Sequence, residues 1–402
     1  MKNNRSIFIA ILVIIAITAL SIAQTIPINS MSGLDITIGG EVEMEFVDVE
    51  GPGGFTNQDL TIQKVKNRSP HMRIDKAALA MRVNYSENVF YHIEFRFGDF
   101  AANVDKHYLK VNAPSLNTEF KLGKDRPMVS TSRQTEGYPL IGTAYWKGRE
   151  YQLTAKSEFE LLDGIEFSTG LSFAMKRPLG TDDAAEDKSF KMMTYDDHIN
   201  KDGATFEYGA MAGIDLVGLG LSAQGWYYTG QLIDDFDWKL QLGGLPGYDN
   251  VAEAYDDPVG DDLTHFWYGG RVGFDKWNMH LRGEYIGSQD GHLTRDGYYV
   301  EGSYRIKAPR FLPVKNIEPI ARYGALNVNR HEPLLGDPET WDREMTTLGL
   351  ITRLNDNISI KIEYYLLDEV TGGDIRTNTE GVTFDDSYVK DNQFLLQIKY
   401  EF

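Results

Sequence analysis

The sequence predicts an all-β protein, a closed antiparallel transmembrane β-barrel of about 16 strands. Three observations favour this fold: the chain ends in an alternating strand with an aromatic last residue, similar strands recur along it, and short and long connections alternate. The chain has 402 residues with 22 Tyr, 20 Phe, 39 Gly and no Cys. Aromatic residues form the girdles of membrane barrels and glycines allow bends. The lack of Cys excludes a disulfide framework.

The first residues are typical of a secretory signal peptide. Lys2 and Arg5 precede an apolar run over 7–20, and Ala23 offers a small residue at a cleavage site. The run is shorter than the roughly 20 residues that a spanning helix needs. The predicted organisation is a cleaved signal peptide over 1–23, a short lead-in over 24–33 and a single transmembrane β-barrel over 34–402.

Strands are predicted where apolar and polar residues alternate over about ten residues. At the C-terminus Phe394, Ile398 and Phe402 belong to one face, and Gln397 and Lys399 to the other. A terminal strand that ends on Phe is typical of bacterial outer-membrane barrels. The predicted strands are 34–47, 72–85, 88–98, 104–112, 117–124, 145–158, 164–175, 205–216, 219–229, 265–275, 277–287, 296–307, 315–326, 344–354, 357–368 and 392–402.

The predicted connections alternate between short turns and long polar loops. The turns are 86–87, 113–116, 216–219, 276, 308–314 and 355–356. The long loops are 48–71, 125–144, 176–204, 230–264, 327–343 and 369–391, with shorter ones at 99–103 and 288–295. Short turns on one side and long loops on the other are typical of an up-and-down outer-membrane barrel. We therefore expect a protein of the outer membrane of a Gram-negative-type bacterium.

Basic residues are concentrated in one part of an acidic chain. The formal net charge is -19, yet residues 60–150 hold fifteen Lys and Arg against nine Asp and Glu. A charge facing lipid at the midplane costs about 2–4 kcal/mol, so strand parity directs these side chains inward. Rows of basic side chains in a pore select anions. The predicted pore-lining residues, on strands two to five and on the third external loop (125–144), are Lys76, Arg82, Arg96, Lys106, Lys110, Lys121, Lys124, Arg126 and Arg133.

Two other interpretations of the charges stay open. The basic residues could simply solvate a water-filled lumen, with Glu94, Glu119 and Asp125 pairing many of them. The acidic loops at 230–264 and 369–391 could attract cations to the mouth or bind Ca²⁺ or Mg²⁺. No segment has the spacing of an Asp-x-Asp-x-Asp-Gly calcium loop, and acidic loops are more often merely solvated. The sequence therefore predicts no metal site and no cofactor.

One segment carries a resemblance to a known family. Residues 120–128, Phe-Lys-Leu-Gly-Lys-Asp-Arg-Pro-Met, resemble the strand-end element VGxxKxPF of the phosphate-selective porin O/P family. The resemblance implies a trimeric barrel of about sixteen strands that passes phosphate, polyphosphate or other anions along basic residues. It also implies that Lys124 belongs to the pore loop and Pro127 to the turn. Asp125, Arg126 and Met128 depart from the family pattern.

The sequence does not favour an enzyme or a nucleic-acid-binding protein. His92 and His107 lie on neighbouring predicted strands, but parity places them on opposite faces. No Gly-x-Ser-x-Gly or His-Glu-x-x-His motif occurs, so no catalytic residue is predicted. The acidic net charge argues against nucleic acid as a partner.

The function predicted from the sequence is passive diffusion of small hydrophilic solutes through an outer-membrane porin. A basic wall and an inward third loop would bias it to anions such as phosphate. The expected partners are small anionic or hydrophilic solutes, outer-membrane lipid and lipopolysaccharide, and further copies of the chain in a homotrimer. The alternatives are a general or cation-preferring porin and a non-channel structural or adhesive barrel.

Overall fold

A computed structural model describes most of the predicted strand region and part of the connections. The described residues are 28–29, 35–49, 70–97, 102–137, 139–140, 150–176, 179–180, 194–195, 205–231, 264–290, 293–309, 313–330, 343–369 and 392–402. The predicted signal peptide, 1–23, and nearly all of the two acidic loops lie outside them. From the lead-in, Ile28–Asn29 forms a short strand that pairs with Asp35 and Ile36. Within the described ranges, no helix is long and apolar enough to cross a membrane.

Sixteen long strands, numbered here in chain order, make up the described fold. They are β1 (Asp35–Val49), β2 (His71–Ser86), β3 (Val89–Phe97), β4 (Ala102–Ala113), β5 (Thr118–Asp125), β6 (Glu150–Leu162), β7 (Ile165–Lys176), β8 (Thr205–Leu216), β9 (Leu221–Gln231), β10 (Thr264–Lys276), β11 (Met279–Asp290), β12 (Leu293–Tyr304), β13 (Asn316–Arg330), β14 (Arg343–Arg353), β15 (Ile358–Glu369) and β16 (Gln393–Glu401). Short strands also occur at Leu179–Gly180, Thr194–Tyr195 and Ile306–Lys307.

The sheet closes on itself between its first and last strands. Each long strand pairs antiparallel with the next, and β16 pairs with β1 from Glu41 opposite Glu401 to Val49 opposite Gln393. Backbone hydrogen bonds of 2.9 and 3.0 Å between Gly40 and Phe402 extend this seam to the last residue. Closure satisfies the backbone groups that an open edge would leave unpaired in lipid. The predicted all-β closed barrel is confirmed.

The outer face of the barrel is apolar and aromatic. Leu171, in the middle of β7, leaves 65% of its surface exposed. Phe206 and Tyr268 are exposed near the strand ends that join the long connections, and Trp277 and Tyr304 are exposed near the short turns. An apolar band between two aromatic girdles is the lipid-facing surface of a transmembrane barrel.

Two tight turns determine strand ends that the alternation pattern places elsewhere. Gly164, with φ of 77°, belongs to the turn between β6 and β7. This turn lets β6 continue to Leu162, whereas the sequence predicts a strand over 145–158. Trp277 and Asn278 have φ values of 57° and 62° and form the hairpin turn between β10 and β11, which the sequence predicts at Lys276. Positive φ at both central residues is what a two-residue hairpin turn of type I′ requires.

Part of the barrel interior is filled by apolar side chains. Trp226, Tyr228, Trp267 and Tyr299 are buried on the inner face and belong to one hydrophobic cluster. The rings of Tyr228 and Trp267 stack with centroids 4.1 Å apart. The remaining members of the cluster include Val129 and Leu140 from the connection after β5. The lumen is therefore narrowed on this side of the barrel, and it is not a uniformly hydrated tube.

Candidate pore constriction

The connection after β5 turns into the barrel instead of leaving it. We call its residues 126–137 the inner loop. Arg271, on the inner face of β10, donates to the carbonyl oxygen of Val129 at 2.8 Å. Arg282, one strand further on, donates to the carbonyl oxygen of Ser132 at 3.2 Å. Both contacts join the loop to strands far from β5, so the loop crosses the interior.

A single arginine of β13 holds the next part of the inner loop. Arg322 is almost completely buried and donates to Thr135 Oγ1 and to the carbonyl oxygen of Gly137, both at 2.8 Å. It also lies 3.3 Å from a carboxylate oxygen of Glu301. Hydrogen bonds from a buried charged group are strong because little water competes for the donor. Arg322 therefore fixes the loop backbone against the wall.

The tip of the inner loop is anchored to β15. The backbone N–H of Glu136 donates to both carboxylate oxygens of Glu363, at 3.0 and 2.9 Å. The N–H of Gly137 donates to the Tyr365 hydroxyl at 2.8 Å, and the Glu136 carboxylate pairs with Lys361. Together with the contacts to β10, β11 and β13, these bonds place the inner loop along one side of the lumen.

Glu136 stays ionised although it is buried. Burial by itself would raise the pKa of Glu136, but ion pairs with Arg133 and Lys361 outweigh it and lower that pKa to about 2. The Arg133 Nη2 to Glu136 Oε2 distance is 2.6 Å. The charge of Arg133 is thus offset within the loop itself.

Six of the nine predicted pore-lining residues lie on the inner face of β2 to β5. The register places Arg82 opposite His92 and His92 opposite Tyr108, while Lys110 lies opposite Lys121. Their neighbours along each strand point outward, as the exposed Leu79 and Leu109 show. The six residues are Lys76, Arg82, Arg96, Lys106, Lys110 and Lys121. We call them the basic wall.

All four lysines in the basic wall are paired with carboxylates. Lys76 pairs with Glu41 and lies 3.4 Å from Glu94, and Lys106 lies 2.9 Å from Glu94. Between 18% and 25% of each lysine side chain is still exposed. The other two pairs are Lys110 with Glu119, and Lys121 with Asp125 at 2.8 Å. The field of the wall is therefore weaker than the count of basic residues indicates.

Arg82 differs from the lysines of the basic wall. Its Nε donates to Asn84 Oδ1 at 2.8 Å, and its guanidinium lies 3.7 Å from the centroid of the Phe90 ring. In the part of the chain that the structure describes, it forms no ion pair with a carboxylate. The side chain is exposed to the lumen. Unlike the four lysines of the wall, Arg82 therefore has no carboxylate partner among the described residues that offsets its charge.

The structure corrects the position predicted for Lys124. Lys124 lies opposite His107 of β4 and Tyr151 of β6, on the same face as the exposed Leu122. It is three residues beyond the inward Lys121, and an odd separation within a strand puts two side chains on opposite faces. Because β5 continues to Asp125, Lys124 belongs to a strand and not to the pore loop. It is not part of the inner face.

The other two predicted residues belong to the inner loop. Arg126 is partly buried just after β5, and its carbonyl oxygen accepts a hydrogen bond from Gln152 at 2.6 Å. Arg133 lies further along the loop, with 26% of its side chain exposed. The inner loop therefore brings Arg133 into the lumen but neutralises it with Glu136.

Sequence reasoning missed basic residues on the inner face outside β2 to β5. They include Arg271, Arg282, Arg322, Lys361 and Lys399, on β10, β11, β13, β15 and β16. The parity argument applied to β2 to β5 would have found them, because each alternates with outward apolar residues. The basic wall was predicted from a local excess of positive charge along the sequence. Near Arg271, Arg282 and Arg322, acidic residues such as Glu284 and Glu301 remove that excess.

A polar cavity lies between the inner loop and the wall formed by β7 to β12. Its volume is about 290 Å³, and Thr131 and Gln134 of the loop line one side. Arg282, Asp275 and Gln224 are among the residues that line the other side. The space under the loop is thus suited to water and small polar solutes.

In the described part of the chain, one cluster of three carboxylates has the geometry to hold a metal ion. Oxygen atoms of Glu43, Asp75 and Glu136 lie within 4.8 Å of one another. Each carboxylate already has a cationic partner: Lys399 for Glu43, Arg73 for Asp75, and Arg133 for Glu136. These side chains supply the positive charge that a metal ion would otherwise provide.

Comparison with known proteins supports the fold. Neither a protein-family model nor a curated protein sequence matches the chain. An anion-selective porin from Comamonas acidovorans has a TM-score of 0.57 and 13% identity. The match covers 92% of this chain and 100% of that one. OmpF of Salmonella typhi, in complex with daunomycin, has a TM-score of 0.57 and 14% identity over 92% and 98%.

A third similar structure is the trimer form of OmpT, an outer-membrane protein of Vibrio cholerae. Its TM-score is 0.55, with 13% identity over 92% of this chain and 99% of that one. At such identities the likeness is one of fold. The closed sheet of sixteen strands, the apolar outer band and the aromatic girdles define an outer-membrane β-barrel of the porin architecture.

Proposed function

We propose that this chain is an outer-membrane porin that lets small hydrophilic solutes diffuse passively and prefers anions. The observation that carries the proposal is the arrangement inside the barrel. The inner loop is held against β10 to β15, while the basic wall of β2 to β5 presents partly exposed cations to the lumen. A pore bounded by such a wall attracts anions.

The mechanism is electrostatic. A solute that enters the narrow lumen loses part of its hydration, and contacts with Lys and Arg offset that loss for an anion. The low-dielectric wall of the barrel focuses the field of these charges. Because Lys106 and Lys121 remain paired with carboxylates, each contact with a solute is weak enough for the solute to leave.

The proposal also covers the solute, the assembly, the membrane partners and the absence of catalysis. Phosphate is a candidate solute because Arg and Lys bind phosphate oxygens readily. Assembly as a homotrimer is supported by the trimer form of the structurally similar OmpT. The outer band and girdles would contact membrane lipid, and the long connections would face lipopolysaccharide. We propose diffusion without catalysis.

The second candidate is a general or cation-preferring porin. It is favoured by the carboxylates that pair with the lysines of the basic wall and by the net charge of -19. The sign of ion selectivity separates the two candidates. A plugged structural barrel would fold and insert but conduct no current.

The test is the zero-current potential of the refolded protein in a planar bilayer under a KCl gradient. We expect the sign for chloride passage. Replacing Lys106, Lys110 and Lys121 by Gln should reverse it, because Glu94, Glu119 and Asp125 are then left without these partners. The matched control replaces Lys276, Lys307 and Lys315, at the short-turn end of the barrel, by Gln and should preserve the sign. Potassium preference in the unsubstituted protein would contradict the anion proposal.

A further inference from the structure

The basic wall contains a compact group of aromatic and cationic side chains. Arg82, His92 and Tyr108 form one row across β2, β3 and β4, and Phe90 and Lys110 belong to the adjacent row. Lys121 of β5 completes the second row opposite Lys110. Three cations and three rings thus share one patch of the inner face, which we call the ring patch.

The rings of the patch are in contact with one another. His92 and Tyr108 stack with centroids 5.1 Å apart and an angle of 28° between the ring planes. Phe90 meets Tyr108 edge to face at 6.3 Å. His92 and Tyr108 are both only partly buried, so each keeps some ring surface toward the lumen. The patch therefore has flat apolar surface beside its charges.

The cations of the patch lie over these rings. The Arg82 guanidinium lies 3.7 Å from the Phe90 ring centroid, and Lys121 Nζ lies 5.0 Å from the centroid of Tyr108. Stacking on Phe90 orients the guanidinium before any ligand arrives. Since Nε of Arg82 is bonded to Asn84, the two terminal Nη groups stay available for a ligand. Both Nη groups together match the two oxygens of one carboxylate.

We propose that the ring patch is a binding station for planar aromatic carboxylates. This proposal rests on the proposed porin function and adds a class of solute to it. The carboxylate pairs with Arg82, and the ring lies on the exposed surface of Tyr108 and His92. A tetrahedral inorganic anion gains less here, because Lys110 and Lys121 are already paired with Glu119 and Asp125. Only a ligand with a flat apolar part uses the aromatic surface.

The first experiment measures block of the KCl current through single channels by benzoate, cyclohexanecarboxylate and acetate. We expect benzoate to block at a concentration about tenfold below either of the others, as one added stacking contact predicts. Arg82→Gln should weaken block by all three. Tyr108→Leu should weaken block by benzoate and leave block by acetate unchanged, and Lys156→Gln on β6 should change none.

A second measurement tests the binding station independently of the proposed porin function. Saturation-transfer NMR of benzoate with the refolded protein in detergent micelles detects binding whether or not current flows. Benzoate binding that Arg82→Gln abolishes, in a protein without conductance, would support the station and overturn the porin proposal. Equal block by benzoate and cyclohexanecarboxylate, or benzoate binding unaffected by Arg82→Gln and Tyr108→Leu, would overturn the station while chloride selectivity persists.

Discussion

Glu136 is the charged residue on which the docking of the inner loop depends most. Its carboxylate joins Arg133 of the loop to Lys361 of β15, and its N–H and that of Gly137 bond to Glu363 and Tyr365. We expect Glu136→Gln to weaken docking by about 2 kcal/mol, because two partly buried cations lose a buried charged acceptor. Hydrogen exchange at the amides of residues 136 and 137 should accelerate by about thirtyfold.

The control for this change is Glu158→Gln on β6. Glu158 pairs with Lys156 at 2.9 Å, but 67% of its side chain is exposed. An exposed ion pair contributes little, about 0–1 kcal/mol. If Glu158→Gln accelerated exchange at residues 136 and 137 as much as Glu136→Gln, the Glu136 ion pairs would not be what holds the loop.

The lowered pKa of Glu136 predicts how docking depends on pH. A carboxylate whose pKa falls from 4.5 to about 2 on folding stabilises the folded loop fully above pH 4.5. That contribution is lost as the pH falls toward 2. The contribution of Glu136 is the difference in exchange protection at residues 136 and 137, corrected for intrinsic rates, between the unsubstituted protein and Glu136→Gln. This difference should be equal at pH 7 and pH 5 and should decline below pH 4.5.

Among the elements, the seam between β1 and β16 depends on a glycine. A Cβ atom at Gly40 would lie 2.5 Å from the carbonyl oxygen of Ala78 and 2.7 Å from Phe402 Cζ. The terminal aromatic ring therefore packs where any other residue would have its side chain. We expect Gly40→Ala to destabilise the barrel by about 1–3 kcal/mol, measured by urea unfolding in detergent.

Gly225→Ala on β9 is the matched control for the seam. Its Cβ atom would have Gly269 O as nearest neighbour at 3.8 Å, which is ordinary contact. Alanine there should be neutral or slightly stabilising because it restricts the unfolded chain. Equal destabilisation by the two substitutions would indicate a general intolerance of alanine in the strands rather than close packing of Phe402.

At the scale of the whole molecule, ion selectivity should depend on salt. The screening length is about 10 Å at 0.1 M and about 3 Å at 1 M ionic strength. The basic wall acts on ions across a hydrated lumen, so its preference for chloride should be clear in 0.1 M KCl and weaker in 1 M KCl. Zero-current potentials at a constant concentration ratio measure this. A preference independent of salt would indicate that direct contacts with the wall, and not its field, select the ion.

The sequence by itself determined the barrel and the direction of most of its side chains. Lipid excludes charge and unpaired backbone groups, so every spanning strand must alternate and the sheet must close. This requirement is local and repeats every second residue, which is why the parity of Arg82, Lys110 and Lys121 could be predicted. Lys124 was placed wrongly because the family resemblance assigned it to the pore loop, whereas the alternation of β5 directs it outward.

Only the tertiary structure decided what the lumen contains. The contacts of the inner loop with Arg271, Arg322 and Glu363 join residues more than 140 positions apart, and no local pattern encodes them. The sequence left open whether Glu94, Glu119 and Asp125 pair with the lysines of the basic wall, and the structure shows that they do. The stacking of Arg82 on Phe90 likewise depends on strand register. Register is set by the turns and by closure of the whole sheet.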